Sequence, residues 1–287
     1  MSTTNPTSQT LGGLTDRTAT SRPRDKSGRR RGAPRLPRWH RIISPLLVLA
    51  VWQLVTTAGI ISASKLPPPT KVASTAVTLV TTDLPAYGTL QQALLVSLER
   101  FAAGFALGAA AAFALAIPAG LSRLGEDLID PLMQMLRTLP LFGLVPVFIV
   151  WFGIGQLPKL LLIALGTAIP LYLNTFSGIR GIDGRLTEVG RVLGLRRSEV
   201  LRHIVLPGAL PSVLVGLRQS LGVAWLSLVV AEQVNANAGL GYMINQATQF
   251  LQNDVIFVAL LVYTVLGLLT DWLVRSLEGR ALAWRRV

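Results

Sequence analysis

The chain has 287 residues, 51% of them apolar and only 14% charged, where a soluble domain carries roughly a quarter charged residues. The deficit sits in long apolar runs and the charges gather in short stretches between them, so the sequence describes a membrane protein. A net charge of +13 raises nucleic-acid binding, but no aromatic-rich basic module accompanies it. With no cysteine and only His40 and His203, disulfides, thiolate catalysis and zinc–thiolate sites are excluded, and a histidine metal site is not expected.

In chain order, residues 1–38 are rich in Ser, Thr, Arg, Gly and Pro, and ten basic residues fall between Arg17 and Arg41. Such a segment cannot bury enough surface to offset its ordering entropy and is expected to be a disordered basic tail ahead of a membrane domain at 39–287. The first apolar run, Ile42–Ile61, has the roughly 20 residues that cross a bilayer. Ser62-Ala63-Ser64 loosely resembles a cleavage site, but the preceding tail is long for a signal peptide and so is the apolar run, which favours a retained anchor. After Pro67-Pro68-Pro69 a short amphipathic helix is expected over Thr70–Thr82. Further spans are expected at Ala102–Leu121, Leu132–Phe152, Leu157–Ile179, Ala209–Ala231 and Val255–Val274, six helices in all.

Basic clusters set the orientation. Six arginines (Arg180, Arg185, Arg191, Arg196, Arg197, Arg202) share one loop, and Arg275, Arg280, Arg285 and Arg286 close the chain. Placing both termini inside puts every cluster on the cytoplasmic side, as the positive-inside rule asks. The other side then holds only Lys65, Lys71 and Lys159.

Gly104, Gly108, Ala112, Ala116 and Gly120 recur every fourth residue and form a small-residue face that admits a neighbouring backbone. The face suits packing within the chain or a seam with a second copy, the former being the commoner use. Pro140, Pro146 and Pro170 interrupt the middle spans, where the freed carbonyls need neighbours or water. Bent helices around a pore and ordinary packing kinks both fit.

The loop 180–207 is the most informative segment. Leu186, Val189 and Leu193 fall on one side of a short helix that Gly194 is suited to end in the left-handed conformation. Ser198 is placed to cap a second helix, which Pro207 would stop. Such an amphipathic knob fits an anionic lipid surface or an apolar groove on a cytoplasmic partner.

The spacing Glu188-Val189-Gly190, then Gly194, then Ile204-x-Leu206-Pro207 resembles the EAA loop of binding-protein-dependent ABC importer permeases, with Val and Gly where that family prefers Ala. The resemblance runs from about residue 42 to the end. Leu66-Pro67-Pro68-Pro69, Ser97-Leu98-Glu99-Arg100-Phe101, Leu136-Arg137-Thr138-Leu139-Pro140, Trp151-Phe152-Gly153-Ile154-Gly155, Ala231-Glu232 and Gly239-Leu240-Gly241-Tyr242 are similar to its nitrate, sulfonate and taurine branch. This implies an all-α, type I ABC importer permease-like membrane protein with two permease copies in the bilayer. It also implies cytoplasmic ATPase subunits carrying ATP and Mg, and an extracytoplasmic binding protein that delivers substrate. The resemblance puts Glu188, Gly190, Gly194, Ile204, Leu206 and Pro207 on the coupling motif, with Arg191, Leu195, Arg196 and Ser198 as neighbouring contacts.

The chain has no Gly-x-x-x-x-Gly-Lys-Ser/Thr loop and no Gly-Lys pair, so P-loop ATP binding is not expected and no cofactor is assigned to it. Charge in hydrocarbon is costly and marks function. The candidates for a translocation path are therefore Arg100, Arg137, Arg218 and Glu232, with Pro140, Asn174, Gln219 and Trp225 beside them. Arg137 suits a snorkelling interfacial role equally, and Glu232 suits a rim position. A gradient-driven transporter would favour inverted repeats and embedded acidic relays, and a membrane enzyme His, Asp or Cys clusters; neither pattern is evident.

Overall fold

The computed structural model describes residues 40–234 and 236–282; the tail expected over 1–38 lies outside them, as do Arg285 and Arg286. The chain divides into two compact units at Pro45/Leu46, and of the first only the opening of one helix, His40–Pro45, is described. Every regular element among the described residues is helical, apart from one isolated bridge between Leu84 and Gly88.

Helix α1 is His40–Thr57. Its apolar part, Ile43–Thr57, reaches about 22 Å at 1.5 Å per residue, short of the roughly 30 Å hydrocarbon core. It ends four residues before the expected Ile61, where Gly59 turns to φ +70°. Helix α2, Pro69–Thr81, lies close to the expected Thr70–Thr82; Pro69 takes a first-turn position whose N–H is not needed. Helix α2 buries Val72 and Leu79 in a cluster with Leu240, Met243, Val255 and Val258.

Helix α3, Leu90–Leu121, starts twelve residues before the expected span because Thr89 and Gln92 form a reciprocal capping box (Gln92 N to Thr89 Oγ1 3.3 Å, Thr89 N to Gln92 Oε1 3.2 Å). Its small-residue face is buried within the chain against helix α6, Gln156–Arg180. A Cβ on Gly108 would strike the Ala164 carbonyl and the Thr167 side chain, and one on Gly104 or Gly120 would strike Ile163 or Ile179. The face is therefore an internal seam, the commoner of the two expectations.

The expected span Leu132–Phe152 is not one helix. Ser122 caps α4, Arg123–Thr138, by accepting from Gly125 N at 2.9 Å. The chain then turns through 92° at Leu139-Pro140. A 3₁₀ turn, Leu141–Leu144, leads into α5, Val145–Phe152. Leu139 precedes a proline, which disfavours helical backbone there, and it adopts φ −70°, ψ 137°.

Helix α7, Gly184–Val192, and the single turn α8, Arg197–Val200, follow α6. A π-helical turn, Leu201–Val205, then runs without a stop into α9, Leu206–Gln233. Pro207 thus opens α9 rather than ending a loop helix. A proline lacks the donor and crowds the carbonyl four residues back, and the wider π turn ahead of it accommodates both. Helices α10, Leu240–Gln249, and α11, Asn253–Ala281, complete the described chain. Helices α3, α6, α9 and α11 are long and apolar enough to cross a membrane, and the bent pair α4–α5 makes a fifth crossing if counted as one.

Candidate functional site

Two sites lie at opposite ends of α9, about 40 Å apart along its axis at 1.5 Å per residue. The elbow formed by α7, α8 and the π turn occupies the N-terminal end. Asp183 caps α7 by accepting from Arg185 N at 2.9 Å. At the other end of α7, Gly194 takes φ +79°. There Gly194 N donates to Arg191 O and Leu195 N to Gly190 O, both at 3.0 Å, the two reverse bonds of a Schellman motif. The expected role of Gly194 is therefore observed.

Arg196, not Ser198, is the cap of the second helix, and Glu199 reaches back to it. Glu199 Oε2 accepts from Arg196 N at 2.6 Å, and Ser198 lies inside the turn, exposed. Serine is a good cap, but here an acidic residue three positions past the cap accepts from the cap's own backbone N–H with a full charge.

Gly190 is buried, and a Cβ there would meet Ile204 Cδ1 at 2.8 Å and Val200 Cγ2 at 3.3 Å. The absent side chain lets α7 lie close against the π turn, with Ile204, Leu195, Val200 and Val205 in one small core. Leu186, Val189 and Leu193 point away from that core and are exposed, Leu193 by 74%. Glu188, Arg191, Arg196 and Leu206 are also exposed, and Pro207 is half-buried.

At the far end of α9, Glu232 is fully buried. Its Oε1 accepts from Arg100 Nη1 at 2.7 Å and its Oε2 from Gly241 N at 2.9 Å and Tyr263 OH at 3.1 Å. Ser97 Oγ bridges both oxygens at 2.8–2.9 Å and itself accepts from Leu240 N at 2.8 Å. Arg100 is also spent on Gln156 Oε1 (2.7 Å) and Ala238 O (2.5 Å). The rim position expected for Glu232 is thus corrected: its charge is taken inside and matched by donors from α3, α10 and α11, as a buried carboxylate requires. Gly239 and Gly241 admit it, since a Cβ on either would overlap the Glu232 side chain. Ser97-Leu98-Glu99-Arg100-Phe101, Ala231-Glu232 and Gly239-Leu240-Gly241-Tyr242, separate in the chain, converge on this one ion pair. This knot ties five helices together, α3, α6, α9, α10 and α11, and presents no free charge to a substrate.

The remaining candidates divide. Asn174 Nδ2 donates to Gln219 Oε1 at 2.9 Å, joining α6 to α9 at a partly open surface. Trp225 is only 9% exposed, stacked on Phe101 at 3.9 Å with its Nε1 donating to Thr270 Oγ1 at 3.2 Å. It packs the α3–α9–α11 core. Arg218 is 46% exposed and paired with Asp271 Oδ1 at 2.8 Å, while Arg275 takes Oδ2 at 2.7 Å. Arg137 is exposed in the last turn of α4, where a cation suits the helix dipole, and Pro140 is exposed at the 92° break. Sequence reasoning missed Asp271, Ser97, Gln156 and Tyr263. An arginine inside an apolar span calls for a counter-ion, which was the available signal for Asp271.

Residues 104–282 match the family described as binding-protein-dependent transport system inner membrane component. The chain is 43% identical over 265 residues to a Bacillus subtilis protein named for aliphatic sulfonates transport, the permease SsuC, covering 91% of this chain and 92% of that one. It is 35% identical over 240 residues to the taurine transport system permease TauC of Escherichia coli, covering 83% and 86%. The nitrate import permease NrtB of Synechocystis is 30% identical over 248 residues, covering 83% and 89%. Among solved structures, an amino acid ABC transporter crystallised with histidines shares the fold at TM-score 0.55 and 18% identity, covering 66% of this chain and 92% of that one. With its apolar helices, its elbow and these relatives taken together, the chain belongs to the binding-protein-dependent inner membrane components and is a multi-pass ABC importer permease.

Proposed function

We propose that this permease forms, with a second copy of itself, the path for a small sulfonate, taurine or nitrate anion, driven by a separate cytoplasmic ATPase. The observation that carries the coupling is the exposed apolar stripe Leu186–Val189–Leu193 on α7. A leucine-rich helix face held rigid by a Schellman motif and left open to water suits burial in a groove of another protein. In this reading α1 and the bent α4–α5 pair complete six crossings, both termini lie inside, and the elbow faces the cytoplasm, where its arginines satisfy the positive-inside rule.

ATPase closure then moves the elbow, the π turn passes the motion into α9, and the equilibrium between inward- and outward-open states shifts. An extracytoplasmic binding protein supplies substrate at the opposite end. The substrate class rests on the names of the relatives and on the arginines at the path, Arg137 and Arg218.

The test is co-purification of the full chain with its ATPase from mild detergent, together with uptake of labelled alkanesulfonate, taurine and nitrate. Leu186→Asp is expected to lower ATPase recovery and uptake about tenfold, the equivalent of some 1.4 kcal/mol of docking energy, with membrane insertion unchanged. Normal uptake by this variant would overturn the coupling. So would uptake driven by a proton or sodium gradient in vesicles that hold this polypeptide alone.

A further inference from the structure

Helix α7 has a second face, turned away from the apolar stripe. Gly184, Thr187 and Arg191, three and four residues apart, line a cleft of about 1090 Å³ between the elbow and the ends of α3 and α6. Arg180, Arg196 and Arg197 line it too, and no carboxylate does. Of the nearby acids, Glu126 is taken by Arg180 and Glu199 by the Arg196 backbone N–H. The side chains of Arg191, Arg196 and Arg197 have no acidic partner among the described residues. Three uncompensated guanidiniums converging on one cleft repel one another, and an anion seated among them removes that repulsion and gains charge-assisted hydrogen bonds.

Apart from Ser198, the rest of the wall is apolar. Ile179 comes from the end of α6, and Leu201 and Val205 from the π turn that leads into α9, which places the cleft at the level where spans leave the bilayer. A soluble anion would use the arginines and leave these side chains wet. A molecule with a phosphate joined to hydrocarbon matches both.

We infer that the cleft binds the headgroup of an acidic phospholipid, its phosphate on Arg191, Arg196 and Arg197 and its glycerol and upper chains on Ile179, Leu201 and Val205. The basic segment ending at Arg41 carries the wrong charge to compete for it. This goes beyond the ATPase reading and uses the opposite face of α7, so the elbow is held between lipid on one side and its partner on the other.

The test uses the full chain in mild detergent. Native mass spectrometry follows titration with phosphatidylglycerol or phosphatidylcholine. The wild type is expected to retain one phosphatidylglycerol about tenfold more tightly than phosphatidylcholine. Arg191→Gln/Arg196→Gln/Arg197→Gln is expected to lose that preference. Arg29→Gln/Arg30→Gln/Arg31→Gln removes the same charge elsewhere and is expected to keep it. All three arginines of the cleft are exposed; should the triple variant aggregate, the single changes Arg191→Gln and Arg197→Gln are each expected to weaken retention partially. Unchanged preference in the cleft variants, loss in the tail variant alone, or full displacement of the lipid by excess inorganic phosphate would each overturn the proposal. Leu186→Asp is expected to leave lipid retention intact, which separates this result from failure of the ATPase reading.

Discussion

At one end of α9 a carboxylate is fully buried and every donor around it is engaged, whereas at the other end leucine and valine side chains stand in water. The first region is complete within one chain and the second is not. Burial of a charge is tolerated only where its partners are fixed in advance, so the Glu232 knot marks a part of the molecule that keeps its shape. Exposed apolar surface on a capped, ordered helix is favourable only when something covers it. The elbow therefore marks a part whose final environment lies outside this chain, and α9 is the rigid member that joins the two.

The strongest way to break this contrast is at the knot. Glu232→Gln leaves Arg100 buried without its counter-charge and is expected to cost about 3–5 kcal/mol, read as a fall of roughly 10 °C in the thermal midpoint of the purified chain. Arg100→Met alone should cost a similar amount. The double change Arg100→Met/Glu232→Met removes both charges and is expected to recover most of the loss. Single variants that melt within about 2 °C of wild type would show that the ion pair does not organise this end.

A smaller effect sharpens the other side of the comparison. Gly194→Ala puts a Cβ on a residue at φ +79°, at a cost of about 1–2 kcal/mol, confined to the elbow. The expected reading is hydrogen exchange at the Leu195 amide, which donates to Gly190 O, faster by roughly tenfold with the knot amides unchanged. Gly190→Ala provides the contrast. Its new methyl must displace the tip of Ile204 and press on Val200 Cγ2, and the gain in helix propensity of about 1 kcal/mol offsets part of that, so exchange at Leu195 should rise less than in Gly194→Ala. Equal acceleration in both variants would mean that the elbow is generally soft and that the Schellman turn has no special part in it.

The elbow was largely legible in the sequence because its determinants are local. Gly194 ends α7 through its own backbone, and the i, i+3, i+7 spacing of Leu186, Val189 and Leu193 defines a face whatever the rest of the chain does. The knot was not legible, although Arg100 and Glu232 are each singled out by their charge. Ser97, Glu232 and Leu240 meet only through packing of helices far apart in sequence, and no periodicity reports a contact across 135 residues. Trp225 shows the same limit: its place among polar residues is readable in the sequence, whereas its stacking on Phe101 is visible only in the fold. Pro140 signals an interruption of the third span, but its sharpness was not legible, because hydropathy averages over Leu139-Pro140, where two extended residues turn the chain through 92°.

The smallest expected effect lies between the two regions, at Asn174 and Gln219. Their side-chain hydrogen bond at 2.9 Å joins α6 to α9 where both residues are partly open, midway between the knot and the elbow. Interhelical bonds of this kind contribute about 0.6 kcal/mol on average in membrane proteins, so Asn174→Leu, Gln219→Leu and the double variant should close a thermodynamic cycle with a coupling of that size. A purely structural bond predicts that uptake tracks this small loss. A pair that faces the substrate predicts more: uptake by Asn174→Leu falling about tenfold, several times what 0.6 kcal/mol accounts for, with the thermal midpoint almost unmoved. Because the bond holds α9 against α6 while both ends of α9 are committed elsewhere, a large functional loss with a small stability loss would place the moving surface of the permease here, between an end that keeps its shape and an end that waits for its partner.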